Sequence, residues 1–117
     1  MEKPSLSAYT DFREYLKDYF SYRRYLTAKD LRPYSYSDFS AAADIKSPNY
    51  LKMIIEGQRN LSPDMAKKFA RALKLDKDQT TEFEILVLYG QEKDPLNRNK
   101  FVKKLSEIRS TKALDQG

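Results

Sequence analysis

Apolar side chains recur at intervals of three and four residues along most of this chain, which is the spacing of a buried helix face. The first stripe includes Phe12, Tyr15, Leu16 and Tyr19 and predicts a helix over about 10–29. The other stripes predict helices over about 36–43, 47–56, from 63 onward, 77–89 and 96–114. The pattern therefore predicts an all-α chain of five or six helices.

Capping residues mark where several of these helices begin. Ser35 precedes the second helix, and Asp38 lies three residues on, where it can complete a capping box. Ser47–Pro48 and Ser62–Pro63 each offer a hydroxyl at the cap and a proline at the first helical position, where its missing N–H costs nothing. The glycines predicted to end the third and fifth helices are Gly57 and Gly90.

Composition agrees with one helical domain. The chain has 117 residues, of which 40% are hydrophobic, with only three Gly and five Pro. That content supports one modest core and favours helices over a sandwich or a barrel. The expected fold is a compact five- or six-helix bundle.

Several functional classes have little support in the sequence. Cys and His are both absent, so catalysis and soft-metal binding have few candidate side chains, and no cofactor or metal is expected. Glu82 and Glu84 lie two apart on a predicted helix and so point in different directions, which disfavours a paired-acid active site. No apolar run approaches the roughly 20 residues needed to cross a membrane. We therefore expect a cytoplasmic protein that is neither an enzyme nor membrane-bound.

Charge is distributed unevenly along the chain, whose formal net charge is +5. Residues 46–74 carry seven basic groups against two acids, residues 75–95 carry two against six, and residues 96–117 carry six against two. The positive middle segment would attract nucleic-acid phosphates. The alternative is that these charged side chains lie on solvent-exposed helix faces and bind no partner.

Seven of the nine tyrosines fall within the first 36 residues. An aromatic row on a basic helix could form a stacking surface for single-stranded nucleic acid. Packing as core, with the hydroxyl groups at its rim, explains the same rings and is favoured, because Tyr15 and Tyr19 lie on the apolar stripe. Tyr22 and Tyr25 are less well explained by core packing.

Residues 35–62 contain the most informative pattern, a short capped helix, a turn at 44–46, a second helix at 47–56 and a basic loop. A helix-turn-helix uses its second helix to enter the major groove, and the early turns of that helix read base edges. The predicted base-reading residues are Ser47, Asn49, Tyr50, Lys52 and Met53. The predicted phosphate contacts are Lys46, Gln58, Arg59, Asn60 and Lys67.

The segment AADIKSPNYLKMIIEGQRNLSPDMAKKFARALKL resembles the repressor/Cro-type helix-turn-helix. In that type a reading helix ends in an acid followed by glycine, here Glu56–Gly57, and a basic residue follows, here Arg59. The helix that follows the reading helix in that type has a characteristic sequence, and residues 66–73 match it here. The resemblance implies a lambda-repressor-like bundle in which residues 1–94 form the helix-turn-helix domain. Residues 95–117 would add a basic C-terminal helix to the same domain, either packed on it or used for dimerisation.

A closer resemblance is to the N-terminal part of an uncharacterised bacterial regulator family. Its matching pieces here include Ser35–Tyr36, Ser47–Lys52 and Gly57–Ser62, within a similarity that covers roughly residues 12–105. The chain departs from that family at Asp44, where glycine is usual, and members usually continue into a larger C-terminal domain.

These patterns favour a sequence-specific regulator whose partner is double-stranded DNA, with a homodimer as a possible binding form. The alternative is a protein–protein interaction module that keeps the helix-turn-helix scaffold but no longer binds DNA, because one fold hosts many functions. The acidic segment 75–95 and the aromatic first helix would then mark the partner surface.

Overall fold

The computed structural model describes residues 1–116, with side chains to Lys112, and contains six α-helices and no strand in that range. A short 3-10 turn at Leu6–Ala8 precedes them. The helices are α1 (Phe12–Leu26), α2 (Tyr36–Ala42), α3 (Tyr50–Ile55), α4 (Pro63–Ala72), α5 (Lys77–Gln91) and α6 (Pro95–Gln116). The predicted all-α class is confirmed. Within the described part of the chain, no helix combines the length and the hydropathy that a bilayer crossing requires.

Two of the predicted helix starts are confirmed in detail. The Ser35 hydroxyl accepts a hydrogen bond from the Asp38 amide, and the Asp38 carboxylate accepts one from the Ser35 amide at 2.8 Å. The Ser62 hydroxyl accepts from the Met65 amide, with Pro63 at the first helical position. Both caps depend on neighbours within four residues, which explains why the local sequence predicts them.

The start of α3 differs from the prediction. The helix begins at Tyr50, three residues after the expected cap Ser47, and its N-cap is Asn49, whose side chain makes no capping hydrogen bond. The Ser47 carbonyl instead accepts from the Ser40 hydroxyl at 2.7 Å, which fastens this residue to α2. Ser47, Pro48 and Asn49 therefore belong to the turn between the two helices.

Three helices end in the same turn, although only one of them has glycine there. The residue beyond the C-cap has a positive φ after α2, α3 and α4: 57° at Asp44, 76° at Gly57 and 60° at Lys74. The following amide donates to the carbonyl five residues back, as Gln58 does to Met53 at 2.9 Å, which is the Schellman motif. The departure from glycine at Asp44 therefore leaves this motif intact.

The core is aromatic where α1, α2 and α4 meet. Phe39 of α2 lies edge-on to Phe69 of α4, with ring centroids 4.9 Å apart, and to Tyr19 of α1 at 6.4 Å. Tyr15 and Tyr19 are buried, which confirms that they pack as core. Burial raises the pKa of Tyr15 to about 12. Tyr25, by contrast, is 58% exposed at the end of α1.

The fifth helix runs past Gly90, where the sequence predicts its end, and continues to Gln91. Gly90 lies inside α5 against α1, and a Cβ at this position would come within 2.8 Å of Phe12 Cδ1. The glycine is needed for the close approach of the Phe12 ring rather than for helix termination.

The last helix folds back along α5 and closes the bundle. Leu105 is buried, and Ile108 packs against the core. Close by, Arg109 and Lys112 extend to a carboxylate on α5. The part of the α6 apolar stripe that Leu105 and Ile108 form is therefore occupied by contacts within the chain.

That carboxylate belongs to Glu82, which is fully buried. Lys112 Nζ donates to it at 2.8 Å, Arg109 Nε at 2.9 Å and the Ser7 hydroxyl at 2.9 Å. Burial by itself would raise the pKa of Glu82, but the hydrogen bonds from Lys112, Arg109 and Ser7 outweigh it and hold the pKa below its ordinary value. Since Ser7 precedes α1 and the two cations belong to α6, this ion cluster joins both ends of the chain.

Candidate nucleic-acid interface

Helix α3 buries one side and exposes the other. Leu51 and Ile54 are fully buried, whereas Asn49 and Lys52 are exposed. Lys52 Nζ lies 3.9 Å from the Glu56 carboxylate, one turn further along the helix. An exposed pair at this distance stabilises the helix only slightly, so the Lys52 ammonium remains free to exchange this partner for a base or a phosphate.

Tyr50, one of the predicted base-reading residues, lies mostly inside the core. This side chain is only 5% exposed, and its ring lies edge-on to Phe69 with centroids 5.8 Å apart. While α3 keeps this packing, the Tyr50 ring is withdrawn from the surface that Asn49 and Lys52 present. The guanidinium of Arg59 lies 5.0 Å from the Tyr50 ring centroid, so Tyr50 supports a cation of the following loop through a cation–π contact.

The remaining predicted base-reading residues are less exposed than Asn49 and Lys52. Met53 is half-buried and packs against the core. Ser47 is also half-buried, in the turn before the helix. The freely presented part of the predicted reading surface therefore consists of Asn49 and Lys52.

Three of the five predicted phosphate contacts lie in the loop after α3. Gln58, Arg59 and Asn60 are all exposed and follow Gly57, whose positive φ turns the chain away from the helix. The Gln58 side-chain amide donates to Glu56 at 3.1 Å. Lys46, before α3, and Lys67, on α4, are exposed as well. We call residues 57–61 the clamp loop.

Arg13, at the start of α1, holds the clamp loop and is absent from the sequence-based site. Its guanidinium donates to the Ile54 carbonyl, to the Arg59 carbonyl at 3.0 Å and to Asn60 Oδ1 at 3.0 Å. One signal in the sequence could have indicated this role. A cation in the first turn of a helix interacts unfavourably with the helix dipole, which suggests that its hydrogen-bond acceptors lie outside that helix.

Gln91, the last residue of α5, holds Leu61, the last residue of the clamp loop. Its Oε1 accepts from the Leu61 amide at 2.6 Å, and its Nε2 donates to the Leu61 carbonyl at 2.9 Å. The side chain thus satisfies both backbone groups of one loop residue, as a strand neighbour would. No local pattern in the sequence predicts this pairing, because it joins residues 30 positions apart.

The arrangement presents exposed donors of two kinds on one continuous stretch of chain. Asn49 and Lys52 can donate to base edges, and an asparagine amide can pair with adenine in bidentate fashion. Arg59, Asn60 and Lys46 can donate to phosphate oxygens. These donors are of the kinds that phosphate oxygens and base edges accept.

Residues 23–79 match the helix-turn-helix family model, of the lambda repressor/Cro type. The matched segment begins in the last turns of α1, includes α2, α3 and α4, and ends at the start of α5. The match confirms the predicted repressor/Cro-type resemblance, and the family is one of DNA-binding regulators. No curated protein and no solved structure matches the chain. The closer resemblance to a bacterial regulator family stays a prediction.

Proposed function

We propose that the protein, whose residues 23–79 match the lambda repressor/Cro-type helix-turn-helix family model, is a transcriptional regulator that binds duplex DNA sequence-specifically. Helix α3 enters the major groove, about 12 Å wide, which admits a single α-helix. Asn49 and Lys52 read base edges, with Ser47 and Met53 beside them. The residues that contact phosphates are the five predicted for that role: Lys46, Gln58, Arg59, Asn60 and Lys67.

The observation that carries the proposal is the exposure of Asn49, the N-cap of α3, and of Lys52 on α3, next to the exposed clamp loop. A reading helix must present polar groups to the groove while phosphate donors flank it. The same helix buries Leu51 and Ile54, which fixes its orientation on the bundle. On this proposal the protein acts in the cytoplasm as a non-enzymatic regulator, and no cofactor takes part.

Selection of duplexes from a random library, followed by fluorescence anisotropy, tests the proposal. We expect the selected duplex to bind far more tightly than a scrambled one, and log K to fall linearly with log salt between about 50 and 200 mM. Lys52→Ala should cost about 1–3 kcal/mol on the selected duplex and relax preference at one base pair. Arg59→Ala should weaken all duplexes alike and reduce the salt slope by about 0.9.

A cation outside the proposed interface gives the matched control. Lys77 is exposed at the start of α5, in the acidic segment, and Lys77→Ala removes one charge without touching α3 or the clamp loop. Its affinity should stay close to that of the wild type. Equal affinity for selected and scrambled duplexes, or binding that does not respond to salt, would contradict the proposal.

A second candidate is a protein–protein interaction module on the same scaffold. Three apolar or aromatic side chains around the end of α1 favour it: Tyr25 is 58% exposed, Leu26 55% and Leu31 103%. Clustered exposed apolar side chains often mark contact surfaces. Absence of duplex binding in the anisotropy series, together with a loss of partner binding in Leu31→Ser, would favour this candidate.

Dimer formation is part of the main proposal because a small reading head gains affinity from two half-sites about 34–36 Å apart. Sedimentation at micromolar concentration, with and without the selected duplex, tests it. A palindromic selected sequence bound by two copies of the chain is the expected result.

A further inference from the structure

The clamp loop is held by two side chains that lie outside the matched segment 23–79. Arg13 comes from the first turn of α1, and Gln91 is the last residue of α5. Arg13 donates hydrogen bonds to Ile54, Arg59 and Asn60, and the Gln91 side chain forms two hydrogen bonds with the backbone of Leu61. The loop that carries the proposed phosphate contacts is therefore held by the surrounding bundle at Arg59, Asn60 and Leu61.

The Arg13 contact also determines which group of the Asn60 side chain is engaged and which can donate to a partner. Because Asn60 Oδ1 accepts from Arg13 at 3.0 Å, the side-chain NH₂ is left to donate to another group. A phosphate oxygen only accepts hydrogen bonds, so the outward NH₂ matches it. The Arg59 carbonyl, which would repel a phosphate, is likewise occupied by Arg13 at 3.0 Å.

Arg13 itself is poorly placed to touch a phosphate. Both of its terminal nitrogens are already engaged with Ile54, Arg59 and Asn60, and its guanidinium lies 4.7 Å from the Phe12 ring centroid. The side chain is half-buried between α1 and the clamp loop. Three of its five N–H groups are thus committed to acceptors inside the protein.

We propose that Arg13 and Gln91 are positioning residues for DNA binding, which fix the clamp loop so that the Arg59 guanidinium and the Asn60 amide face the phosphates. This inference rests on the proposed function. A loop that is already in its bound conformation loses less conformational entropy on binding, and affinity rises accordingly. The contribution is independent of base sequence, because it acts on phosphate contacts alone.

Two variants that keep the net charge test the inference. Arg13→Lys retains the cation but loses the planar fork that reaches three acceptors at once. Gln91→Met keeps the length and helix preference of the side chain but loses both hydrogen bonds to Leu61. We expect each to weaken binding to every duplex by roughly 3- to 20-fold, the effect of one or two lost hydrogen bonds.

The salt slope separates positioning from direct contact. Since neither residue neutralises a phosphate, the dependence of log K on log salt should be unchanged in Gln91→Met and in Arg13→Gln, which removes the cation, whereas Arg59→Ala lowers the slope by about 0.9. Amide hydrogen exchange supplies a local readout. The Leu61 amide should exchange faster in Gln91→Met, while amides of the core helix α4 keep their wild-type rates.

Lys17→Arg is the matched control for Arg13→Lys, because Lys17 is exposed on α1 one turn after Arg13. It should change neither affinity nor exchange. Wild-type affinity in folded Arg13→Lys and Gln91→Met, with faster loop exchange, would overturn the inference while leaving the proposed function in place. A smaller salt slope in Arg13→Gln would overturn it too, by making Arg13 a phosphate contact. Failure of the wild type to bind any duplex would overturn both.

Discussion

Tyr50 shows how one residue can serve the core and the proposed interface at once. Its ring packs edge-on to Phe69 and carries the Arg59 guanidinium at 5.0 Å. The sequence assigned it to the groove because it lies in the early turns of the reading helix and has a polar tip. The structure shows that Tyr50, Leu51 and Ile54 share the buried side, which leaves Asn49 and Lys52 outside.

Replacing Tyr50 by Phe is expected to leave base preference unchanged. The substitution removes only the hydroxyl, so the ring still packs on Phe69 and still faces the Arg59 guanidinium. Asn49→Ala is the comparison, because it removes an exposed amide and should relax preference at one base pair by about 1–3 kcal/mol. Binding of both variants to single-base-pair variants of the selected duplex measures this. A relaxed preference in Tyr50→Phe would restore Tyr50 as a base-reading residue.

At the scale of the helices, local signals predicted local features well. The caps at Ser35 and Ser62 and the helix end at Gly57 depend on neighbouring residues, and the structure has all three. The errors have a tertiary cause. Gly90 was interpreted as a helix end, although its role is to admit the Phe12 ring, and Ser47 was interpreted as a cap, although Ser40 of the preceding helix engages its carbonyl.

The end of α4 offers a test of backbone conformation. Lys74 adopts a φ of 60° in the third Schellman motif, where a side chain with a Cβ is strained and glycine is not. Lys74→Gly should raise the free energy of unfolding by about 0.5–1 kcal/mol, since the relief of strain exceeds the entropy that glycine adds to the unfolded chain. Urea unfolding measures the change.

Lys74→Ala is the control for that experiment, because alanine removes the same charge and keeps the Cβ. It should not stabilise the protein. If the free energy of unfolding rises equally in both variants, the cause is the removed charge, and the explanation by backbone strain is wrong.

At the scale of the whole molecule, the sequence predicted which helices exist and which face each buries, but not which distant side chains meet. The apolar stripe of α6 was visible, whereas its partner helix was left open. Arg13, Gln91 and Glu82 were missed for the same reason, because each bonds to residues 27 or more positions away. Polar contacts across such separations leave no periodic trace in a single sequence.

Glu82 gives the last prediction, because its carboxylate joins the 3-10 turn, α5 and α6. Glu82→Ala leaves Arg109 and Lys112 beside the core without their anion, and removal of one partner from a buried ion cluster typically costs about 3–5 kcal/mol. Urea unfolding at neutral pH should show a loss of that size. Glu84→Ala, on the same helix but only half-buried, should cost much less.

The pH dependence of stability distinguishes the ionised carboxylate from a merely well-packed side chain. The pKa of Glu82 is lowered in the folded protein, since the hydrogen bonds from Lys112, Arg109 and Ser7 outweigh the effect of burial. Its contribution is therefore complete above the ordinary value of 4.5 and is lost as the pH falls below that value through the folded pKa. Glu82→Gln should be less stable than wild type at neutral pH, and the difference should shrink as the pH falls through this range. A difference that stays constant on acidification would mean that the carboxylate acts through packing alone, and the ion cluster would not be what fastens α6 to the N-terminal turn.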